Sequence, residues 1–242
     1  MIVVQNLSKK FGDREVLKDI SFEVPKSSSF VLIGKSGSGK SVLLKNIIGI
    51  MKPDYGNIII NNVNTTNIPQ YKRITMNTNL GMLFQFNALF DSLNIQENIV
   101  FPVSVHKKLS KSESYALACE NLELVGLDKS ILTLNPSEIS GGMQKRVAIA
   151  RMLSSRPSIL FFDEPTSGLD PIMSEMINDL IIKITKYLGA TSFSITHDMK
   201  SAKKIADKIA LIDEGKIVWE GLPNNIDSSG NQIVDNFIKG IY

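Results

Sequence analysis

Hydrophobic positions along this chain follow two alternating rhythms. Short, nearly unbroken apolar runs occur at Ser29-Phe30-Val31-Leu32-Ile33, Leu80-Gly81-Met82-Leu83-Phe84, Ile159-Leu160-Phe161-Phe162 and residues 191–196. Runs of this length, rich in branched and aromatic side chains, predict strands buried on both faces, as in a parallel sheet. Between them lie longer segments with helical spacing, predicting helices over 42–48, 143–153, 171–188 and 199–206. The first 24 residues alternate short apolar runs with turn signals, Lys9-Lys10-Phe11-Gly12-Asp13 among them, which predicts a small antiparallel β meander. Residues 55–62 predict a further strand, and 209–212 and 216–220 two more around Asp213-Glu214-Gly215. From about Phe86 to Arg146 the β-branched runs thin out and helix prevails. It is clearest over 112–125, where Tyr115, Leu117, Ala118, Leu122 and Val125 recur near 3.6 spacing. The expected class is α/β: a parallel core, an N-terminal antiparallel β layer, and a helical subdomain inserted at about 86–146. Ser228-Ser229-Gly230 reads as a linker before a short helix over 232–239, so 1–228 is expected to be one domain and 229–242 a tail whose apolar face, Ile233, Val234, Phe237 and Ile238, serves an assembly contact, with packing on its own core as the alternative.

Composition narrows the class without naming a chemistry. At 242 residues, 43% hydrophobic and 21% charged, the chain can bury one substantial core. A net charge of +3 gives no case for nucleic acid as a partner. No apolar run approaches the roughly 20 residues of a membrane span. The opening Met1-Ile2-Val3-Val4-Gln5-Asn6 turns polar too soon for a signal peptide. The single Cys119 excludes an internal disulfide and is expected to be a packed core residue. A reducing compartment, the cytoplasm, is the expected location.

Candidate chemistry begins directly after the first buried run. Gly34-Lys35-Ser36-Gly37-Ser38-Gly39-Lys40-Ser41 fits G-x-x-x-x-G-K-[ST] and stands between a predicted strand and a predicted helix. Such a turn aims successive backbone N–H groups and the positive end of a helix dipole at one point, which suits a polyphosphate. Lys40 would reach the β- and γ-phosphates of ATP and the Ser41 hydroxyl would ligate Mg²⁺. The run 159–162 ends in Asp163-Glu164. Carboxylates beyond the carboxyl end of a parallel strand face the ligand crevice, so Asp163 is expected to help hold Mg²⁺ and Glu164 to polarise a water in line with the γ-phosphate. Ser140-Gly141-Gly142-Met143-Gln144 opens another predicted helix. Ser140 suits its N-cap, and the glycines leave room for a second anion. One nucleotide does not need two such sites in one chain, whereas two copies arranged head to tail do.

This ordered set resembles the ATP-binding cassette (ABC) ATPases. It comprises the phosphate loop, Gln85, Ser140–Gln144, Asp163-Glu164, Ser167-Gly168-Leu169-Asp170 and His197, and it covers residues 1 to about 221. The resemblance implies an ATP-hydrolysing motor of a membrane transporter. It implies that Phe11 stacks on adenine, and that Gln85 touches Mg²⁺ and the attacking water while sensing a membrane partner. It further implies that Ser140, Gly141 and Gly142 bind the γ-phosphate held by the opposite subunit, that Asp170 lies at the dimer seam, and that His197 holds the γ-phosphate. Ile139 and Met143 depart from the Leu and Gln more usual around the signature glycines, yet the glycine amides and Ser140 remain. Read alone these residues have simpler uses: a core Phe, a strand-end Gln, a helix-capping His.

The stretch from Met82 to Ile99, with Phe86-Asn87-Ala88-Leu89-Phe90-Asp91-Ser92-Leu93 at its centre, is similar to the phospholipid-transport cassettes of the Mla group, as are Met143 and the ending 233–240. That resemblance implies an integral membrane permease, an MCE-domain lipid-binding protein and possible contact of the tail with a small accessory protein. It implies work at the cytoplasmic face of the inner membrane, moving lipid between two membranes. The alternatives are a cassette for another cargo such as an amino acid or metal, or a non-transport ABC ATPase. Translation factors of that kind carry two cassettes, and repair ATPases carry a long coiled coil; neither pattern is present. A nucleotide-binding regulator without hydrolysis is disfavoured by Glu164. Phe86, Leu89 and Phe90 could also be plain subdomain core.

Overall fold

The structure, a computed structural model, describes residues 1–69, 72 and 79–240. Its chain divides into two compact units, Met1–Asn77 with Gly189–Tyr242, and Thr78–Leu188.

In the first unit the expected meander is one long hairpin, β1 (Ile2–Phe11) and β2 (Arg14–Val24), turning at Gly12 with φ 57°. Repeated register shifts along the pair interrupt its two-residue period. β4 (Tyr55–Ile60) joins the other side of β1, and a two-residue strand β5 (Val63–Asn64) closes the order β2-β1-β4-β5. The strand predicted over 55–62 stops at Ile60 because Asn61 and Asn62 both take positive φ, 49° and 67°, forming a tight hairpin turn. β3 (Ser29–Ile33) runs parallel to both β8 (Thr191–Thr196) and β9 (Lys208–Asp213), and β10 (Lys216–Gly221) adds antiparallel to β9. Phe22, Phe30 and Phe193 stack with centroids 5.0–5.7 Å apart and tie β2, β3 and β8 into one core. α1 (Lys40–Ile47) follows β3, and α6 (Met199–Ile205) follows β8.

In α7 (Gln232–Ile238), Val234 and Phe237 are buried in this unit, and Asn231 Nδ2 donates to the Val218 carbonyl of β10 at 3.0 Å. Of the expected apolar face, Ile233 stays exposed.

The second unit pairs β6 (Leu80–Leu83) in parallel with β7 (Ile159–Asp163) and carries the helices α2 (Ile95–Ser104), α3 (Lys111–Leu124), α4 (Gly141–Leu153) and α5 (Pro171–Leu188). α2 and α3 start at reciprocal capping boxes, Asn94 with Glu97 and Ser110 with Glu113. α4 forms the helix expected over 143–153, starting at Gly141, with Val147, Ile149 and Ala150 fully buried. α3 buries a narrower face than its spacing implies: Ala118, Asn121 and Leu122 are inside, while Tyr115 is exposed and Cys119 only half-buried. Cys119 is thus not a core residue.

Candidate active site

In the first unit, register decides what surrounds the glycine-rich loop. Ile33 lies between Thr196 of β8 and Leu211 of β9, so the loop leaves the sheet flanked by His197 and Ile212. At Gly34 a Cβ would lie 2.4 Å from the Ile212 carbonyl oxygen, so no side chain fits there. Gly37 and Gly39 take φ of 80° and 108°, conformations that L side chains resist, and Gly39 then caps α1. Ser38 N–H donates to the Lys35 carbonyl at 3.2 Å, drawing the loop into a ring. Lys40 is buried and curls back over it. Its Nζ donates to the carbonyls of Gly34 at 2.6 Å and Lys35 at 3.0 Å. Ser41 stands exposed in the first turn of α1. The Ser38 hydroxyl is buried without a partner, and a buried polar atom left unpaired inside a cradle of glycines suits a ligand oxygen.

Beside the loop opens a cavity of about 550 Å³ bounded by Lys35–Ser38, by Arg14 and Lys18 of β2, and by Asp213 and Glu214. Its size suits a small organic ligand. Gly215 holds this wall in place: Lys18 N–H donates to its carbonyl at 2.8 Å, and a Cβ there would meet Val16 O at 2.3 Å. Phe11, across the hairpin from Arg14, keeps an exposed ring, with Lys9 Nζ 5.6 Å from its centroid. That contact is a cation–π interaction on one face of the ring. His197 does not cap the following helix. Asp198 does, accepting the N–H groups of Lys200 and Ser201 at 3.1 and 3.2 Å, which leaves His197 exposed at the carboxyl end of β8.

In the second unit Leu83 pairs with Phe162, so Gln85 and Asp163-Glu164 emerge from the same ends of neighbouring strands. Glu164 has φ 48°, left-handed for a residue other than glycine, a strained backbone of the kind found at functional sites. Lys145, on α4 and fully inside, donates from Nζ to the Gln85 carbonyl at 2.9 Å. Burial lowers the pKa of its ammonium, and the charge of Asp163 opposes that shift. Ser140 caps α4, its hydroxyl accepting Met143 N–H at 3.3 Å. Ser140 and Gly141 are exposed, nothing stands within 4 Å of a Cβ at Gly141, and Met173 Cε lies 2.3 Å from where a Gly142 Cβ would be. That helix start is open to an approaching anion. Asp170 caps α5, accepting the N–H groups of Ile172 and Met173 at 2.9 Å each.

Each expected site residue is therefore placed. Phe11, residues 34–41 and His197 belong to the first unit, and Gln85, 140–142, Asp163, Glu164 and Asp170 to the second. Sequence reasoning missed Arg14 and Lys18, two cations shortly after the Gly12-Asp13 turn, and Lys145, a lysine on the apolar face of a helix.

Comparison with known proteins agrees with this geometry. A family model described as ABC transporter matches residues 17–167. The probable ribonucleotide transport ATP-binding protein mkl of Mycobacterium leprae is 36% identical over 239 residues, covering 99% of this chain and 69% of its own. The intermembrane phospholipid transport system ATP-binding protein MlaF of Haemophilus influenzae is 34% identical over 240 residues, covering 99% and 90%. Among solved structures, a dimeric post-hydrolysis state of the ATP-binding cassette MJ0796 bound to ADP and Pi superposes with a TM-score of 0.84 at 30% identity, over 92% of this chain and 99% of that one. The chain belongs to the ABC transporter family, as an ATP-binding, ATP-hydrolysing subunit.

Proposed function

We propose that this ATPase drives phospholipid transport between two membranes, using an ATP site completed by a second copy of the chain. The observation that carries the nucleotide assignment is the closed loop itself: Lys40 folded onto the carbonyls of Gly34 and Lys35, with the unpartnered Ser38 hydroxyl inside. In this reading Lys35, Ser36, Gly37, Ser38, Gly39 and Lys40 hold the phosphates, and Phe11 holds the adenine. Mg²⁺, when bound, draws on Ser41, Gln85 and Asp163 and screens phosphate charge. Glu164 accepts the proton of the attacking water, Gln85 orients that water, and His197 contacts the γ-phosphate. Ser140, Gly141 and Gly142 serve the nucleotide of the opposite copy, which their exposed, capped helix start supports. Asp170 then lies near the seam between copies. The ATPase domain spans 1–228, followed by the tail 229–242, whose exposed Ile233 is available for an assembly contact.

The membrane partner is read from an apolar groove in the second unit. It measures about 330 Å³ and includes Phe84, Phe90, Phe101 and Pro102, with Phe90 and Phe101 rings 4.7 Å apart. Phe86 beside it is 85% exposed, so the aromatic run is not subdomain core. A face of this kind suits a helix of an integral membrane permease. Among the described residues no helix is long and apolar enough to cross a membrane. In this reading the chain attaches through that partner, peripherally, at the cytoplasmic face of the inner membrane. Lipid as cargo is supported by the similarity of Met82 to Ile99 to the Mla group and by the phospholipid relative, whose length the chain covers more fully than that of the ribonucleotide relative. An MCE-domain lipid-binding protein completes the proposed complex, with a small accessory protein as a further candidate.

Purification of the tagged chain from membranes of its own host tests this. The expected result is a co-purifying permease and MCE-domain protein with bound phospholipid. A permease for an amino acid, metal or ribonucleotide would overturn the lipid reading and leave the ATPase intact.

A further inference from the structure

Helix α4 carries two cations that the phosphate chemistry does not use. Lys145, 2% exposed, donates to the Gln85 carbonyl at 2.9 Å, sixty residues back along the chain. Six residues further along α4, Arg151 Nη1 donates to the Ala88 carbonyl at 2.7 Å and Nη2 to the Asn87 carbonyl at 2.9 Å. Its guanidinium also lies 5.6 Å from the Phe90 centroid. The segment held in this way is one that the backbone resists: Asn87 and Ala88 take consecutive φ values of 59° and 52°. Left-handed backbone is tolerable for Asn, whereas Ala has no side-chain hydrogen bond to offset the strain. Such a conformation persists only where its surroundings over-determine it. Three carbonyls in four residues, all accepting from cations of one helix, provide that constraint. A planar guanidinium gripping two carbonyls also fixes orientation, which a single point contact does not.

We propose that Lys145 and Arg151 are positioning residues that clamp the Gln85–Ala88 turn to α4, so that the turn and the helix start bearing Ser140–Gly142 shift together as one body. The functional consequence rests on the roles proposed above for Gln85 and for residues 140–142. Pressure on the Phe84 and Phe90 groove is then passed through the turn into α4 and reaches the helix start that serves the opposite nucleotide. The same clamp sets where the Gln85 side chain points.

The test uses the full chain with Lys145→Met, Lys145→Arg, Arg151→Lys and Glu164→Gln beside wild type. Lys145→Met should leave the KM for ATP unchanged and lower kcat by about 10- to 100-fold, the scale expected when a water-orienting group is misplaced by about 1 Å. Lys145→Arg, still able to donate to the Gln85 carbonyl, should restore most of that rate. Amide hydrogen exchange over 84–90 should quicken in Lys145→Met and, to a lesser degree, in Arg151→Lys, which can reach one carbonyl instead of two. Exchange over 34–41 should not change. Wild-type kcat and wild-type exchange over 84–90 in Lys145→Met would overturn the clamp, as would a loss of rate that Lys145→Arg fails to restore. If Glu164→Gln hydrolyses ATP normally, the catalytic assignment fails, and the exchange measurement still decides the clamp. If Glu164→Gln is inactive and Lys145→Met is normal, the clamp alone fails.

Discussion

Gly34→Ala puts the loop geometry under direct strain. The added Cβ would sit 2.4 Å from the Ile212 carbonyl oxygen, a separation that real Cβ atoms do not show below 3.0 Å, so the gap must widen by at least about 0.6 Å. Ile212 cannot yield readily. It lies in β9 between β3, through the Ile33–Leu211 pair, and β10, through the Ile217–Ile212 pair. The loop must therefore move instead. Overpacking of this kind costs about 1–3 kcal/mol of stability. Displacing the backbone amides from a phosphate forfeits one charge-assisted hydrogen bond or more, at about 1.5–3 kcal/mol each. That corresponds to ATP affinity weakened about 10- to 100-fold. Titration calorimetry with ATP, paired with thermal melting, reads both effects. Gly37→Ala is the control: φ there is 80° and nothing lies within 4 Å, so it carries backbone strain without collision and should lose less stability. Wild-type melting and wild-type ATP affinity in Gly34→Ala would refute the close approach and the loop's role together.

Lys40→Ala removes the buried cation folded over the loop and should weaken ATP binding by at least about tenfold in calorimetry; affinity within about threefold of wild type would refute its role. Phe90→Asp should sharply reduce recovery of the membrane partner in co-purification while ATP affinity stays at the wild-type value, because the groove and the phosphate loop belong to different units. Glu113, its carboxylate accepting Ser110 N–H and facing Lys107, has its pKa held down to about 2 from 4.5. A depressed folded pKa contributes stability that is present above the unfolded value and lost as pH falls through the folded one, so the melting advantage of wild type over Glu113→Gln should shrink between about pH 4.5 and 2. A difference that grows on acidification would contradict the sign.

What the sequence made legible was whatever is contiguous. The phosphate loop, the strand ending at Asp163-Glu164 and the capped helix start at Ser140 each declare themselves within about ten residues, and the structure forms each one. What it hid depends on partners distant in sequence or on backbone angles. Lys145 and Arg151 bind carbonyls 60 to 64 residues away, and a carbonyl has no side chain to announce it. The left-handed φ of Glu164 goes against local preference and follows from its surroundings. The length of the β1–β2 hairpin is hidden because register shifts interrupt the two-residue period by which a long strand shows in sequence. The short helix after Gly230 is legible from its apolar spacing, but what it packs on is not, because the β10 carbonyl that accepts from Asn231 lies outside its own pattern.

Sedimentation of Glu164→Gln with and without ATP tests the two-copy site most directly. The substitution keeps size and removes the carboxylate proposed above to take the water's proton, with an expected effect of about two orders of magnitude or more on rate. Bound ATP then persists, and each copy's Ser140–Gly142 has a γ-phosphate to meet. The predicted result is a shift from one copy to two that appears on adding ATP and reverses on its removal. A chain that binds ATP yet sediments as one copy throughout would contradict the shared site.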